Sequence, residues 1–311
     1  MNWLSEDVRS NVRLLGELRF CGRKPAREYP GWDEFEYPAT SVGESENDQV
    51  TPVAFCGDLS PAGVLAAYRR GAFALAARGL KQRIGKRLGY AHLVVNGTAA
   101  IVGPASGNGA AVDPYWGEWW SPESRQVIDV SAVHLGKDPR RAIRRNDFVT
   151  TANTSFERVV EECRANRSVE WLTDKLKASL VALHEDGWAH SNEVWLDGEL
   201  VGGSIGIGIG KVISGDSLFN RVPEASRIAI ADMAARLRDA GGQLIDAQVQ
   251  SALSRSVGAA PIPRADYLKV LGMSSARIEI DGSKLPAKRL IPAEAVKAAA
   301  TNRSAVRLPD Y

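Results

Sequence analysis

The pattern of hydrophobic and polar positions changes its period near residue 188. Before that point, apolar stripes at helical spacing follow capping residues or prolines, which indicates helices. The expected elements are helices that begin at Ser60 with Pro61 and at Asp138 with Pro139, helices over about 153–166 and 173–187, and a possible short strand at 91–95. Residues 51–150 are expected to form a smaller N-terminal α/β domain with a basic helix.

From residue 188, polar and apolar positions alternate as they do in strands. The stretch "AHSNEVWL" is followed by Asp197-Gly198, a strong hairpin signal, and by "ELVGGSIGIGIGKVISGD", which supplies two more strands. A helix is expected over "EASRIAIADMAARLRDAG", because its apolar residues lie mostly on one inner side, namely Ile228, Ile230, Met233, Ala234 and Leu237. It precedes the strand "LIDAQV", a loop at "SVGAAPIP" and a last helix near Arg264. This order predicts an α+β protein with an acetyltransferase-like (GNAT-like) domain over 151–275.

Both ends of the chain look different from these regions. Residues 1–50 are polar and rich in turn formers, and they end in the acidic run "SVGESENDQV". We therefore expect a poorly ordered N-terminal extension over 1–50 and a C-terminal tail over 276–311.

The composition is typical of a globular protein of the cytoplasm. Of 311 residues, 44% are hydrophobic and 24% are charged, and the net charge of +2 means that any nucleic-acid contact must use a local basic patch. The cysteines Cys21, Cys56 and Cys163 show no CxxC spacing, which fits a reducing compartment and predicts no metal site. We find no signal-peptide pattern and no apolar run near the roughly 20 residues of a membrane span, so no membrane partner is expected.

Two polar side chains interrupt the apolar strand "LIDAQV". Alternation along a strand puts Asp246 and Gln248 on the same face of the sheet. This pair fits the solvated face of an edge strand. It also fits a catalytic site, because a carboxylate can orient a reacting amine while an amide both donates and accepts hydrogen bonds.

Two other features also have two interpretations. Four guanidinium groups share one helical face, which fits either a solvated surface or a phosphate-binding surface; they belong to Arg140, Arg141, Arg144 and Arg145. The adjacent Trp119 and Trp120 fit either a hydrophobic core or a surface on which a base stacks. Trp171 by itself fits a core residue.

Seven stretches carry a more specific signal through their order. They run from about Phe55 to Leu271 and are "GDLSPAGVLAAYRRGAF", "WWSPESR", "EVWLDGELVGGSIGI", "SGDSLFNR", "EAS", "LIDAQV" and "SVGAAPIPRADYL". In this order they resemble the leucyl/phenylalanyl-tRNA–protein transferase family. Such enzymes move an amino acid from the 3′ end of a charged tRNA to the α-amine of a protein that begins with Arg or Lys.

The resemblance implies a role for each candidate residue and no cofactor besides the charged tRNA. Asp246 and Gln248 are implied to be catalytic, the four arginines to hold the tRNA, and Trp119 with Trp120 to form the adenosine or active-site wall. The implied aminoacyl pocket consists of Trp171, Ser204, Gly215, Asp216 and Leu218.

Departures from the family pattern leave the substrates open. The family usually has methionine where this chain has Ser204 and Leu218, and glutamate where it has Asp216. Because a buried hydroxyl needs a polar partner, these differences predict a donor smaller or more polar than leucine. The acceptor is expected to be either a protein N-terminus or a small amine of a specialised pathway, such as antibiotic biosynthesis.

Two other classes of function are alternatives. An acyl-CoA-dependent N-acetyltransferase of the same fold would need a glycine-bearing pyrophosphate loop before its main helix, and "NRVPEAS" at 220–226 contains no glycine. A non-catalytic tRNA-binding protein is the third class, and the presence of both Asp246 and Gln248 argues against it.

Overall fold

The computed structural model of the protein describes residues 29–38, 51–105, 112–165 and 171–291. The described residues divide into two compact units. Within those ranges, the first unit contains 29–121 and 171–179, and the second contains 122–165 and 180–291. The predictions made for 1–28, 39–50 and 292–311 lie outside the described residues.

The first unit contains a four-stranded sheet. Its strands are β1 (Ala54–Phe55), β2 (Phe73–Ala76), β3 (Ala100–Ile101) and β4 (Gly117–Trp120), in the order β2-β4-β1-β3. Helix α1 (Pro61–Arg69) begins as predicted, because the Ser60 hydroxyl accepts a hydrogen bond from the N–H of Gly63 at 3.2 Å.

Helix α2 (Leu80–Val95) occupies the place of the short strand predicted at 91–95, and that prediction is wrong. A short apolar run fits a strand or a buried helical turn equally well. Here the last turn of α2 buries Leu93, which packs with Phe55 and Tyr115.

Part of the predicted N-terminal extension belongs to the core of the first unit. Trp32 is 1% exposed, and its ring meets that of Trp119 edge-on with the centroids 5.2 Å apart. Edge-to-face pairs of this kind add about 0.5–1.5 kcal/mol to the stability gained by burial. Residues 29–38 are therefore packed rather than loose.

The second unit combines helices with a long mixed sheet. Its helices are α3 (Lys137–Arg145), α4 (Phe156–Ala165), α5 (Asp174–Glu185, which begins in the first unit), α6 (Ala225–Asp239), α7 (Ala252–Ser256) and α8 (Arg264–Gly272). Its strands are β5 (Ser124–Asp129), β6 (Val149–Ala152), β7 (Ala189–Leu196), β8 (Glu199–Ile209), β9 (Val212–Ser214), β10 (Ser217–Asn220), β11 (Leu244–Gln248), β12 (Ala260–Pro263) and β13 (Leu285–Pro286). The predicted α+β class is confirmed.

The strand order of this sheet is β12-β5-β11-β9-β8-β7-β6-β13, with β10 paired to β8. Strands β9 and β11 run parallel, and the other pairs are antiparallel. Asp197 and Gly198 join β7 to β8 with φ angles of 52° and 84°, as the predicted two-residue hairpin turn requires.

Helix α6 supplies much of the core of the second unit. Its residues Ile230, Met233 and Leu237 belong to one buried cluster with Ile213 and Ile245 of the sheet. Complete burial of one such side chain contributes about 1.5–3 kcal/mol. The amphipathic pattern that predicted this helix therefore also identified its inner face.

Long-range strand pairing moves three predicted boundaries. The expected domain boundary at 150 falls inside the second unit, because β5 pairs with β11 and β12. The expected loop "SVGAAPIP" contains β12. The expected tail is packed as far as residue 291: Ile278 and Ile280 are buried, and β13 pairs with β6.

Candidate active site

A β-bulge in β11 separates the two polar residues that were predicted to act together. Asp246 lies opposite Val127 of β5, whereas Gln248 lies opposite Gln126, so the register shifts between them. Residues directly opposite each other on neighbouring strands share a face of the sheet. Asp246 therefore lies on the Val127 face and Gln248 on the Gln126 face, and the prediction of a shared face is wrong.

Asp246 is the centre of a buried ion pair. It is 1% exposed, and the Arg125 guanidinium donates to both of its oxygens, from Nε to Oδ1 at 2.9 Å and from Nη2 to Oδ2 at 2.5 Å. The Tyr267 hydroxyl donates to Oδ2 at 3.1 Å, and the centroid of its ring lies 4.6 Å from Cζ of Arg125. The backbone N–H of Gln248 donates to Oδ1 at 2.8 Å.

These four hydrogen bonds occupy the carboxylate of Asp246, which has about four acceptor sites. A substrate amine therefore finds no open acceptor on Asp246, contrary to the expectation of direct contact. The bond to Gln248 instead stabilises a backbone φ of 61°, which is uncommon for a residue other than glycine. This geometry favours a positioning role for Asp246.

The side chain of Gln248 meets a second carboxylate. Its Nε2 donates to Oδ1 of Asp216 at 2.7 Å, and the Ser214 hydroxyl donates to Oδ2 at 3.0 Å. Because an ionised carboxylate accepts but does not donate, this contact fixes which way the Gln248 amide is turned. Gln248 is half-buried, and its Oε1 accepts no hydrogen bond from the described residues, so it is open to a donor from another molecule.

An apolar cavity of about 80 Å³ lies beside this pair in the second unit. Its lining includes Ile128, Ile213, Leu218, Ile230, Met233 and Ile245. Gly215 and Ala247 also line it, and they are the chain neighbours of Asp216 and Gln248. The cavity and the Asp216–Gln248 pair thus form one site, with an apolar space next to a fixed amide.

Three of the residues predicted for the aminoacyl pocket line this cavity, namely Ser204, Gly215 and Leu218. Asp216 is placed beside it by the bond to Gln248. Trp171 is 7% exposed and belongs to the first unit. It is not among the residues that line the cavity, because these come from the second unit.

The two adjacent tryptophans have different surroundings. Trp119 is fully buried, and its Nε1 donates to the carbonyl of Cys56 at 3.1 Å, so it is a core residue of the first unit. Trp120 is half-buried, and its Nε1 donates to Glu118 at 3.2 Å. Of this pair, Trp120 is the one with ring surface left for a ligand.

The four predicted arginines lie on α3, which begins at Lys137, so Asp138 is not its cap. Pro139 and Ile143 are buried and anchor one side of this helix. The opposite side is formed by the half-buried Arg140 and by three exposed residues, Arg141, Arg144 and Arg145. No acidic side chain of the described residues forms an ion pair with these four arginines, so their charge is available to an anion.

The described residues offer little other chemistry. They contain no group of three His, Cys, Asp or Glu side chains placed to hold a metal ion. Burial raises the pKa of the Cys56 thiol to about 12, which makes it a poor nucleophile. Within the same residues, no helix combines the length and the apolar character needed to cross a membrane.

Similarity to known proteins agrees with the ordered motifs. Residues 127–272 match the family described as leucyl/phenylalanyl-tRNA protein transferase. A leucyl/phenylalanyl-tRNA–protein transferase of Saccharophagus degradans is 33% identical over 245 residues, which cover 76% of this chain and 83% of that protein. The chain belongs to this family. Membership in the leucyl/phenylalanyl-tRNA–protein transferase family makes it an aminoacyltransferase.

Two other relatives have the same name. The protein of Novosphingobium aromaticivorans is 38% identical over 176 residues, covering 56% of this chain and 66% of that protein. The protein of Hydrogenovibrio crunogenus is 30% identical over 244 residues, covering 76% and 79%. Among solved structures, the C-terminal domain of a putative lysylphosphatidylglycerol synthetase from Agrobacterium fabrum has a TM-score of 0.30 and 12% identity, covering 53% of this chain and 58% of that chain, which is too distant to assign a fold.

The sequence did not single out the partners of Asp246. Arg125 and Tyr267 lie 121 and 21 residues away from it along the chain. Both belong to stretches that carried the family resemblance, since Arg125 ends "WWSPESR" and Tyr267 lies in "RADYL". Their position in these motifs was the one signal in the sequence that marked Arg125 and Tyr267, and it did not reveal that either would contact Asp246.

Proposed function

We propose that this protein transfers an amino acid from a charged tRNA to the α-amine of an acceptor protein. The observation that carries the proposal is the Asp216–Gln248 pair, which presents a fixed acceptor atom beside an apolar cavity. The relatives are named as protein transferases, and nothing in the site favours a small amine, so the acceptor is proposed to be a protein N-terminus.

The proposed chemistry needs no covalent intermediate. The neutral amine attacks the ester carbonyl, the C–N bond forms as the ester C–O bond breaks, and the amine proton leaves with the ribose hydroxyl. Gln248 accepts a hydrogen bond from the attacking amine through Oε1, while Asp216 keeps the amide turned that way. Since a peptide α-amine has a pKa of about 7.7–8.0, orientation rather than a strong base is required.

The other predicted features fit the same reaction. The arginine face of α3 is proposed to hold phosphates of the tRNA, because one guanidinium group can donate two parallel hydrogen bonds to the oxygens of one phosphate. For the second unit we propose an acetyltransferase-like fold. The support is the β7–β8 hairpin followed by α6, and the parallel pairing of β9 and β11.

The cavity is proposed to hold the side chain of the donor amino acid. The Ser214 hydroxyl bonds to Asp216, and the hydroxyls of Ser251 and Ser254 bond to each other at 2.9 Å. The Ser204 hydroxyl makes no hydrogen bond with the described part of the chain and is the polar position left in the lining. A donor smaller or more polar than leucine fits this space.

The test is to incubate the protein with each charged tRNA and a peptide that begins with arginine. We expect one or a few tRNAs to be deacylated as the peptide gains the matching residue, measured by mass spectrometry. Ser204→Met should shift this preference toward leucyl- or phenylalanyl-tRNA, because the variant loses the hydroxyl. Acetylation of the peptide by acetyl-CoA, or tRNA binding without any transfer, would replace the proposal with one of the alternative functions.

A further inference from the structure

Gln126 of β5 is buried and forms no side-chain hydrogen bond with the described part of the chain. It is 6% exposed, and its Oε1 is fully buried with no partner among the described residues. Its Nε2 forms no hydrogen bond with those residues either. An unpaired buried polar group costs about 1–3 kcal/mol, and in a native protein it calls for an explanation such as a ligand.

The strand register places Gln126 next to the proposed site. Ile128, two positions along β5, lines the cavity, and side chains two positions apart share a face and lie about 6.6 Å apart along the strand. Across the sheet, Gln126 lies opposite the half-buried Gln248 on one side and the exposed Pro261 on the other. A ligand with its apolar end against Ile128 therefore places its polar end near Gln126.

We infer that Gln126 binds the α-amino group of the aminoacyl ester, an inference that rests on the proposed function. The α-carbon of the ester carries a side chain for the cavity, a carbonyl that is attacked beside Gln248, and an amino group. Gln248 is fully used, because its Nε2 bonds to Asp216 and its Oε1 serves the attacking amine. Rotation about the last torsion of Gln126, which is soft in amide side chains, turns its Oε1 toward the donor's amino group.

The variant Gln126→Leu removes the amide and keeps the approximate volume. Gln243→Leu is the matched control, because the Oε1 of Gln243 is also buried without a partner among the described residues but precedes β11 rather than lying beside the cavity. Both variants should keep or raise the midpoint of unfolding, since each removes an unpaired polar atom. Only Gln126→Leu should lower kcat/KM for aminoacyl-tRNA, by about 10- to 100-fold.

A second substrate identifies the group that Gln126 contacts. With an acyl-tRNA that lacks the α-amino group, the wild type and Gln126→Leu should transfer at equal rates. Equal losses on the amino and desamino esters, or a Gln126→Leu variant with wild-type kcat/KM, would overturn the inference.

A binding measurement separates this inference from the proposed function. The ligand is an aminoacyl-adenosine with an amide in place of the ester, titrated by calorimetry into the wild type and Gln126→Leu. Binding that weakens about 10- to 100-fold in the variant supports the inference even if no charged tRNA is a substrate, and in that case the proposed function alone fails. Absent binding to the wild type, or equal binding to both proteins, contradicts it.

Discussion

Asp246 and Asp232 are both buried aspartates paired with arginine in the second unit, yet they hold different parts of the chain. Asp246 is bonded to Arg125 and, through the N–H of Gln248, to the bulge beside the cavity. What it fixes is therefore one backbone angle in the candidate active site.

Asp232 is the centre of a larger network. It is fully buried, accepts from the Thr150 hydroxyl at 2.6 Å and from Nδ2 of Asn192 at 2.5 Å, and pairs with Arg236 at 2.7 Å and with Arg289. Arg236 also donates to backbone carbonyls of the segment that leads to β13. This network attaches residues 281–289 to α6 and the sheet.

We infer from the comparison that what a buried Asp–Arg pair contributes to the protein depends on which part of the chain the other hydrogen bonds of the aspartate hold. Where these hydrogen bonds hold a segment of the chain, loss of the ion pair should lower the free energy of unfolding. Where they hold a bulge next to the reacting groups, its loss should lower turnover. The following predictions test that distinction, in order of decreasing effect.

Asp232→Ala should lower the free energy of unfolding by about 3–5 kcal/mol, because the buried Arg236 loses its carboxylate and the exposed Arg289 loses its ion-pair partner. Urea unfolding monitored by circular dichroism gives this value. The folded fraction should keep a normal kcat. As a control, Asp239→Ala removes an exposed ion pair and should change stability by no more than about 0.5 kcal/mol. A stable but inactive Asp232→Ala would erase the contrast between the two aspartates.

His190 tests what happens to a buried titratable group that forms no ion pair with the residues described in the structure. Burial, reinforced by the nearby His184, lowers its pKa from 6.5 to about 4. The unfolded chain therefore binds a proton that the folded chain does not, and stability is lost as the pH falls from 6.5 toward 4. The loss should reach about 3 kcal/mol. In urea titrations His190→Gln should lose clearly less over that range, and identical pH dependence would contradict the assignment.

The double variant Arg125→Met with Asp246→Leu removes both charges of the buried Arg125–Asp246 ion pair at once. Replacing a complete buried ion pair by apolar residues is often neutral for stability, so the protein should fold. Gln248 then loses the acceptor of its backbone N–H, and kcat should fall about 100-fold with little change in KM for the charged tRNA. A folded double variant with wild-type kcat would show that Asp246 has no positioning role.

Substitutions on the arginine face of α3 should change tRNA binding rather than stability or turnover, unlike substitutions of the two aspartates. Replacing Arg140, Arg141, Arg144 and Arg145 by Ala should weaken tRNA binding and flatten its dependence on salt, since each lost phosphate contact reduces the log–log slope by about 0.7–0.9. Folding and preference among amino acids should not change. Arg238→Ala with Lys269→Ala, two exposed and ion-paired positions, is the control. An unchanged slope would leave the cluster as a solvated surface.

Local signals in the sequence determined several elements and the family. The cap at Ser60, the Asp197-Gly198 turn and the amphipathic pattern of α6 each depend on neighbours within a few residues, and the structure confirms all three. The ordered motifs identified the leucyl/phenylalanyl-tRNA–protein transferase family, because their order is a property of the chain alone.

Tertiary structure decided what the candidate residues contact. Alternation along β11 predicted a shared face for Asp246 and Gln248, but the bulge changed it, and the bulge depends on pairing with β5. Trp119 proved to be a core residue and residues 276–291 proved to be packed, because segments distant in sequence cover them. A side chain's type and spacing follow from the sequence, whereas its burial and partners are set by long-range contacts that exist only once the chain has folded.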